Sequence, residues 1–191
     1  MNVKNMAQLV LTRKAWIGFA AGVAIAVCAW TAAHWERFRP YDWKQVVSQD
    51  RQFRISFPGN PTTSQEDSTA SDGSKFVSNW LKSSPTRGVI YALAWWENPA
   101  QENKSTNELF SDFRECNIKA FHGNIVGERE LDVQGYPAKM TVVFAPSTLV
   151  VENLVIRVGP RLYSLSVLDS TGRLDVSNIK KFFASLSLHQ T

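Results

Sequence analysis

The stretch RQFRISFPGNP, Arg51 to Pro61, decides where the folded domain begins. Phe53, Ile55 and Phe57 alternate with polar residues, a period of two that is typical of a strand with one buried face. Pro58 cannot donate a ladder hydrogen bond and the Gly-Asn-Pro that follows favours a turn, so the strand must end there. A phosphate-binding loop would need more glycines and a helix directly after them. The stretch therefore predicts the opening strand of a domain.

Strand and helix patterns continue after this turn. The run from Val89 to Trp96 is apolar on both faces, which predicts a central strand covered on both sides. Ser105 and Glu108 fit a capping box before a stripe at helical spacing that contains Leu109, Phe113, Cys116 and Ala120. A second stripe predicts a closing helix, with Val176, Ile179, Phe182, Phe183 and Leu186. Further strands are predicted within 62–75 and over 76–81, 125–133, 138–144, 149–158 and 162–168.

The connections between these strands are of hairpin length, so the sheet should be mainly antiparallel. Two amphipathic helices are available to cover the central strand. We therefore predict an α+β fold, a mainly antiparallel β-sheet covered by helices on both faces and preceded by one N-terminal transmembrane helix. The globular part is expected over 51–191.

The segment AWIGFAAGVAIAVCAWTAA, residues 15–33, has 19 residues and no charge. As a helix rising about 1.5 Å per residue it would span the hydrocarbon core of a bilayer. Lys4, Arg13 and Lys14 precede it, and the positive-inside rule places residues 1–14 in the cytoplasm. We predict a single-pass signal anchor in the inner or cytoplasmic membrane, with the C-terminal domain extracytoplasmic. The alternative is a signal peptide cleaved near Ala33, which would release a secreted protein.

Residues 34–50 carry aromatic and charged side chains without a sustained period. They are interpreted as a juxtamembrane connector with a helical turn around Trp43–Val47. The predicted organisation is thus a cytoplasmic N-terminus (1–14), an anchor (15–33), a connector (34–50) and an extracytoplasmic α+β domain (51–191).

The charge distribution excludes nucleic acid as a partner. The net charge is +4, but three of the 21 Lys and Arg precede the apolar segment, which leaves 18 against 17 Asp and Glu. No basic run is interleaved with aromatic residues, as a groove that follows a phosphate backbone requires.

No motif predicts a catalytic, cofactor or metal site. The histidines are His34, His122 and His189, and the chain has no HxH, HExxH or CxxC spacing. Cys116 and His122 are close enough in sequence to suggest a thiol and its base, but Cys116 falls on the apolar stripe and is expected to be a buried small hydrophobe. Trp95 and Trp96 could stack on a ligand, although a core role is the simpler interpretation.

Several stretches resemble the PsbP-like group of domains, named for an extrinsic photosystem subunit. They are the strand ending in FPGNP, the helix in the middle of the chain, the hairpins, RLYSLSV and the closing KKFFASLSL. The resemblance covers residues 51–188. It implies an antiparallel sheet between helices and a role in binding or assembly, and it carries no catalytic residue onto this chain.

The expected function is that of a membrane-anchored, non-catalytic protein-interaction or assembly module with a protein partner and no cofactor. Two alternatives stay open. One is a small-ligand carrier that uses a groove between sheet and helix, and the other is a hydrolase or thiol enzyme whose site is assembled from dispersed residues.

Overall fold

The computed structural model describes residues 41–69, 73–97, 103–146, 148–172 and 175–189. All of them belong to one structural unit that begins at Tyr41. The predicted anchor, residues 15–33, lies outside the described residues. Within the described ranges, no helix combines the length and the apolar character that a membrane crossing needs.

The described elements are ten strands and two helices. They are β1 (Trp43–Val47), β2 (Phe53–Pro58), β3 (Thr62–Thr69), β4 (Lys75–Thr86), β5 (Val89–Glu97), α1 (Thr106–Phe121), β6 (Asn124–Val133), β7 (Tyr136–Phe144), β8 (Val150–Val158), β9 (Arg161–Asp169), α2 (Val176–Ala184) and β10 (Ser187–Leu188).

Seven strands form the main sheet, in the order β3-β4-β5-β9-β8-β7-β6. Every neighbouring pair is antiparallel, as the short connections predicted. The doubly apolar strand β5 lies between β4 and β9, where Leu93 is paired with both Leu81 and Leu165. The predicted central strand is confirmed.

A second sheet has the order β1-β2-β10. The opening strand β2 is its middle strand and ends at Pro58, as predicted. Gly59 follows with φ +79°, a conformation that suits glycine, and its N–H donates to the carbonyl oxygen of Asp42 at 2.7 Å. Trp43–Val47, predicted as a helical turn, is instead the strand β1.

The small sheet and α2 cover one face of the main sheet. Phe57 of β2, Tyr91 of β5 and Phe182 of α2 are almost completely buried in this core. The ring of Phe182 lies 5.1 Å from that of Phe57 and 5.3 Å from that of Tyr91, in the edge-to-face geometry that aromatic pairs prefer. The three-stranded sheet thus covers much of a face that a helix was expected to cover.

The opposite face is covered by α1. Its N-terminus has the predicted capping box, in which the Ser105 side chain accepts from the Glu108 N–H and the Glu108 carboxylate accepts from the Ser105 N–H. Leu109 and Phe110 are buried against Ala94, Trp96 and other residues of the sheet. Farther along α1, Asn117 is buried, whereas Cys116 and Ala120 are exposed and do not close onto the sheet.

The predicted fold class was therefore wrong in its balance of elements. Strands account for 57% of the described residues and the two helices for 18%, so the domain is mostly antiparallel β-sheet and only partly α+β. One face is covered jointly by a second sheet and α2, because β2 needs hydrogen-bonding partners that β1 and β10 supply. No transmembrane helix precedes the domain among the described residues.

Candidate ligand groove between helix and sheet

The incomplete closure of α1 leaves a groove of about 580 Å³ between this helix and the main sheet. We call it the α1 groove. Strands β4, β5, β8 and β9 form its floor, and Phe113, Cys116 and Ala120 of α1 line it from above. Ile90, at one end, has 40% of its surface exposed. The groove is an open cleft within the range of volumes that small-molecule sites occupy.

Small side chains make the floor deep. Strand alternation sends the even-numbered residues of β5 and β9 to this face, and these include Ala92, Ala94, Ser164 and Ser166. The odd-numbered residues of both strands, such as Tyr91 and Leu165, fill the core on the other side. The same two strands therefore pack tightly on one face and leave space on the other.

Aromatic side chains form the walls. Phe76 and Trp96 are stacked with ring centroids 5.7 Å apart and planes inclined by 26°. Trp96 and Phe113 are stacked at 6.1 Å and 18°. The three rings form a column that joins β4, β5 and α1. Trp80 also lines the groove, and its indole N–H donates to the Ser78 hydroxyl at 2.8 Å.

Two of the buried polar residues that line the groove are asparagines. Asn117 of α1 is 7% exposed and Asn153 of β8 is 3% exposed. The Asn153 Nδ2 donates to Ser166 at 2.6 Å and to Ser164 at 3.2 Å. Among the described residues, the Asn117 Nδ2 and the Asn153 Oδ1 have no hydrogen-bond partner. A buried amide atom without a partner is costly, so this groove contains one unused donor and one unused acceptor.

The charged residues that line the groove are paired. The Lys82 ammonium lies 2.5 Å from Glu66 and 4.2 Å from the centre of the Trp80 ring. The Asp112 carboxylate lies 2.8 Å from Lys104. The lining is therefore apolar and aromatic, with neutral amide and hydroxyl groups.

The structure separates the two residues considered as a thiol and its base. Cys116 is exposed in the α1 groove, so its predicted burial was wrong. His122 is the C-cap of α1 in a left-handed conformation, with φ 50°, and does not line the groove. Partial burial raises the pKa of the Cys116 thiol, so the reactive thiolate is disfavoured at neutral pH. His189 follows β10, and its N–H donates to the Gln52 carbonyl oxygen.

Trp95 and Trp96 point to opposite faces of the sheet. Trp95 packs on the core beneath the small sheet, 5.0 Å from the Phe53 ring. Trp96 lines the α1 groove, so of these two tryptophans it is the one that can contact a ligand bound there. His34 lies outside the described residues. In the described part of the chain, no three His, Cys, Asp or Glu residues cluster as a metal site would require.

Four residues of the groove were not predicted from the sequence as site residues: Phe76, Trp80, Asn117 and Asn153. One signal was available in RLYSLSVLD, where small serines alternate with large apolar residues on a strand that is buried on both faces. Small residues facing a helix leave room that the helix must fill or a ligand can occupy. Asn117 carries no such signal, because its position in the groove depends on how α1 is placed, whereas Asn153 is a polar residue within the apolar strand VVENLVIRV.

The fold resembles that of known structures. The solution structure of cyanobacterial PsbP from Synechocystis sp. PCC 6803 matches with a TM-score of 0.53 and 9% sequence identity, over 80% of this chain and 95% of that chain. A protein of unknown function from Pseudomonas aeruginosa gives a TM-score of 0.49 at 11% identity, over 78% of this chain and 99% of that chain.

The fold is PsbP-like. The resemblance found in the sequence is confirmed at the level of the fold, whereas 9% identity carries no function across. No family model matches the chain, and no curated protein matches it. The function of this PsbP-like domain must therefore be argued from its own groove.

Proposed function

We propose that this protein is a non-catalytic ligand-binding module, tethered to a membrane by residues 15–33, with its PsbP-like domain outside the cytoplasm. The observation that carries the binding proposal is the α1 groove, an open cleft of about 580 Å³ lined by aromatic and small side chains. Its ligand would be a small, largely apolar molecule. This favours the carrier alternative over the protein-interaction module.

The shape of the groove supports a small ligand. A peptide strand would add to a sheet edge, but the groove lies over the middle of the sheet, where β4, β5 and β9 are already paired on both sides. An amphipathic helix needs a long apolar surface, whereas Ser164, Ser166 and Asn153 interrupt the apolar lining of this groove. Concave apolar sites with a few polar groups are typical of small-molecule recognition.

The chemistry of the groove supports binding without catalysis. Cys116 lines the groove, and the raised pKa of its thiol works against nucleophilic attack. The serine hydroxyls of the lining would need an adjacent base to act as nucleophiles. Asp112 is held by Lys104 in an ion pair. No histidine lines the groove to act as a base.

The tether and the location are supported by the sequence alone. Residues 15–33 are long enough to span a bilayer, and Lys4, Arg13 and Lys14 favour a cytoplasmic N-terminus. A reporter enzyme that is active only outside the cytoplasm, fused after Thr191, should be active. Activity of a cytoplasmic reporter at the same position would contradict the proposed orientation.

The binding proposal is tested by filling the groove. Ala120 is exposed on α1 and lines the groove, so Ala120→Trp places a large ring in the cleft without altering the core. Lys119→Trp is the matched control, because Lys119 is the neighbouring residue and its side chain is 77% exposed. The full-length protein and both variants would be purified from membranes in mild detergent, and bound small molecules identified by native mass spectrometry.

We expect a small molecule bound to the wild-type protein and to Lys119→Trp, and its loss from Ala120→Trp. Equal occupancy in all three proteins would place the ligand elsewhere. A co-purified protein without any small molecule would favour the interaction-module alternative.

A further inference from the structure

We infer that the ligand of the α1 groove is a flat, uncharged, conjugated ring molecule that carries both a hydrogen-bond acceptor and a hydrogen-bond donor. This inference rests on the proposed function and deepens it, since it names the chemical class that the groove selects. Lactam-like heterocycles have these properties.

The aromatic column favours a flat molecule. Phe76, Trp96 and Phe113 present nearly parallel rings along one wall, with interplanar angles of 26° and 18°. Trp96 is stacked against both other rings and is only 8% exposed, so the partly exposed rings of Phe76 and Phe113 at the ends of the column are the ones that a ligand can extend. A planar conjugated ligand gains more contact area on such a ring face than a branched aliphatic one. The floor of alanines and serines leaves the space beside these rings free.

The two asparagines require a donor and an acceptor on the ligand. The Asn117 Nδ2 is a donor and the Asn153 Oδ1 is an acceptor, and neither has a partner among the described residues. They reach the groove from opposite sides, one from α1 and one from β8 in the floor. An amide atom buried without a partner costs folding free energy. Both atoms are covered by neighbouring groups in this structure, so a ligand with both functions removes that cost once each amide turns its free atom into the groove.

The absence of unpaired charge in the lining requires a neutral ligand. Of the charged residues that line the groove, Lys82 is paired with Glu66 and Asp112 with Lys104. An ionised ligand would therefore enter an apolar cleft without a counter-charge, which is strongly unfavourable.

Two uncharged probes of nearly equal shape separate polar recognition from apolar binding. The probe 2-quinolone is flat and has a carbonyl acceptor next to an N–H donor, whereas naphthalene has the same two fused rings and neither group. Each would be titrated into the full-length protein in one detergent by isothermal calorimetry, so that partition into micelles affects all variants equally. The proteins are wild type, Asn117→Leu and Ala120→Trp, with Lys119→Trp as control.

Asn117→Leu replaces the amide by an apolar group of similar size and better helix propensity. We expect it to weaken 2-quinolone binding about tenfold, the usual cost of one buried hydrogen bond, and to change naphthalene binding by less than about twofold. The thermal unfolding temperature of this variant without ligand should equal or exceed that of the wild type. If Asn117 served only to stabilise the fold, the substitution would lower that temperature. If it destabilises the fold, the smaller Asn117→Ala gives the same comparison of probes.

The outcomes distinguish the two proposals. One outcome is that both probes bind, Ala120→Trp abolishes the binding of both, and Asn117→Leu weakens neither. The groove would then bind apolar molecules without hydrogen bonds to their polar groups. That result overturns this inference and keeps the proposed function. If neither probe binds the wild type, or Ala120→Trp has no more effect than Lys119→Trp, both proposals fail.

Discussion

The Arg161 guanidinium on β9 donates a hydrogen bond to the Asp50 carboxylate in the turn between β1 and β2, across 2.7 Å. The same guanidinium contacts Glu97 at the end of β5 at 2.8 Å. The Arg161 side chain is only 16% exposed, so this paired contact is partly shielded from water. It joins the small sheet to the middle of the main sheet.

This contact predicts a stability that depends on pH. Burial alone would raise the pKa of the Asp50 carboxyl, but hydrogen bonds from Arg161, Ser48 and the Gln52 backbone outweigh it and lower the pKa below its ordinary 3.8. A lowered pKa in the folded state stabilises the protein above that ordinary value, and this stability is lost as the pH falls through the folded-state pKa. Asp50→Asn should therefore lower the free energy of unfolding at neutral pH, and the difference from wild type should shrink below about pH 4.

Urea unfolding at several pH values measures this difference. Asp42→Asn is a suitable control, because the Asp42 side chain is 75% exposed in its ion pair with Lys44. A difference between Asp50→Asn and wild type that stays constant down to about pH 3 would show that the charge of Asp50 is not responsible.

A second prediction concerns Gly123, which follows the C-cap of α1. A Cβ atom at this residue would lie 2.6 Å from the Val143 Cγ1 and 2.8 Å from the Phe144 carbonyl oxygen. The backbone oxygen cannot move away cheaply, so Gly123→Ala should destabilise the fold by about 1–3 kcal/mol. At Gly127 the nearest side-chain atoms would be 3.7 Å away. Gly127→Ala is thus the control in thermal unfolding, and equal effects of both substitutions would contradict the steric explanation.

A third prediction distinguishes two adjacent phenylalanines of α2. Phe182 is fully buried, whereas Phe183 is only partly buried at the edge of the same core. Phe182→Ala should cost about 3–5 kcal/mol and Phe183→Ala clearly less, because only the first leaves a closed cavity. Chemical denaturation of both variants measures the difference. A larger loss at Phe183 would mean that α2 is rotated about its axis from the orientation described above.

A fourth prediction concerns the start of the domain. Tyr41 and Trp43 each place their rings edge-on against Tyr91, with centroids 6.4 and 6.5 Å away. A truncated chain of residues 51–191 loses both rings and β1, so it should be less stable than 41–191 by at least about 3 kcal/mol. Equal unfolding midpoints for the two chains would show that β1 adds little to the core.

Local patterns predicted the opening strand, the central strand of the main sheet and the start of α1. Alternation in β2, the doubly apolar β5 and the capping box at Ser105 are each determined by residues that lie within a few positions of one another. The structure places these elements where periodicity and capping chemistry indicated. Such patterns predict structure correctly because they do not depend on the rest of the fold.

The second sheet could not be predicted in the same way. In β1, Trp43, Val46 and Val47 have no clear period, and this segment becomes a strand because β2 offers it hydrogen bonds. β10 has two residues, too few for any period. Both strands depend on tertiary context, as does the helical cover whose extent was overestimated.

The α1 groove was only partly foreseeable. A groove between sheet and helix was one alternative, but the stripe of α1 was expected to be buried, and Cys116 and Ala120 are instead exposed. Whether an apolar stripe closes onto a sheet depends on the size of the side chains it meets. Ala92, Ala94, Ser164 and Ser166 are too small to reach the C-terminal half of the helix.

The pairing of β2 with β10 has a consequence for biosynthesis. Ser56 of β2 and Ser185, just before β10, are hydrogen-bonded partners separated by 129 residues of chain. During translation, therefore, one edge of β2 stays unpaired until almost the whole domain has been synthesised. Contacts between residues so far apart in sequence also form slowly. The ribosome-bound chain exposes Phe53, Ile55 and Phe57 throughout this interval, so nascent molecules of this protein should depend on chaperones more than its modest size suggests.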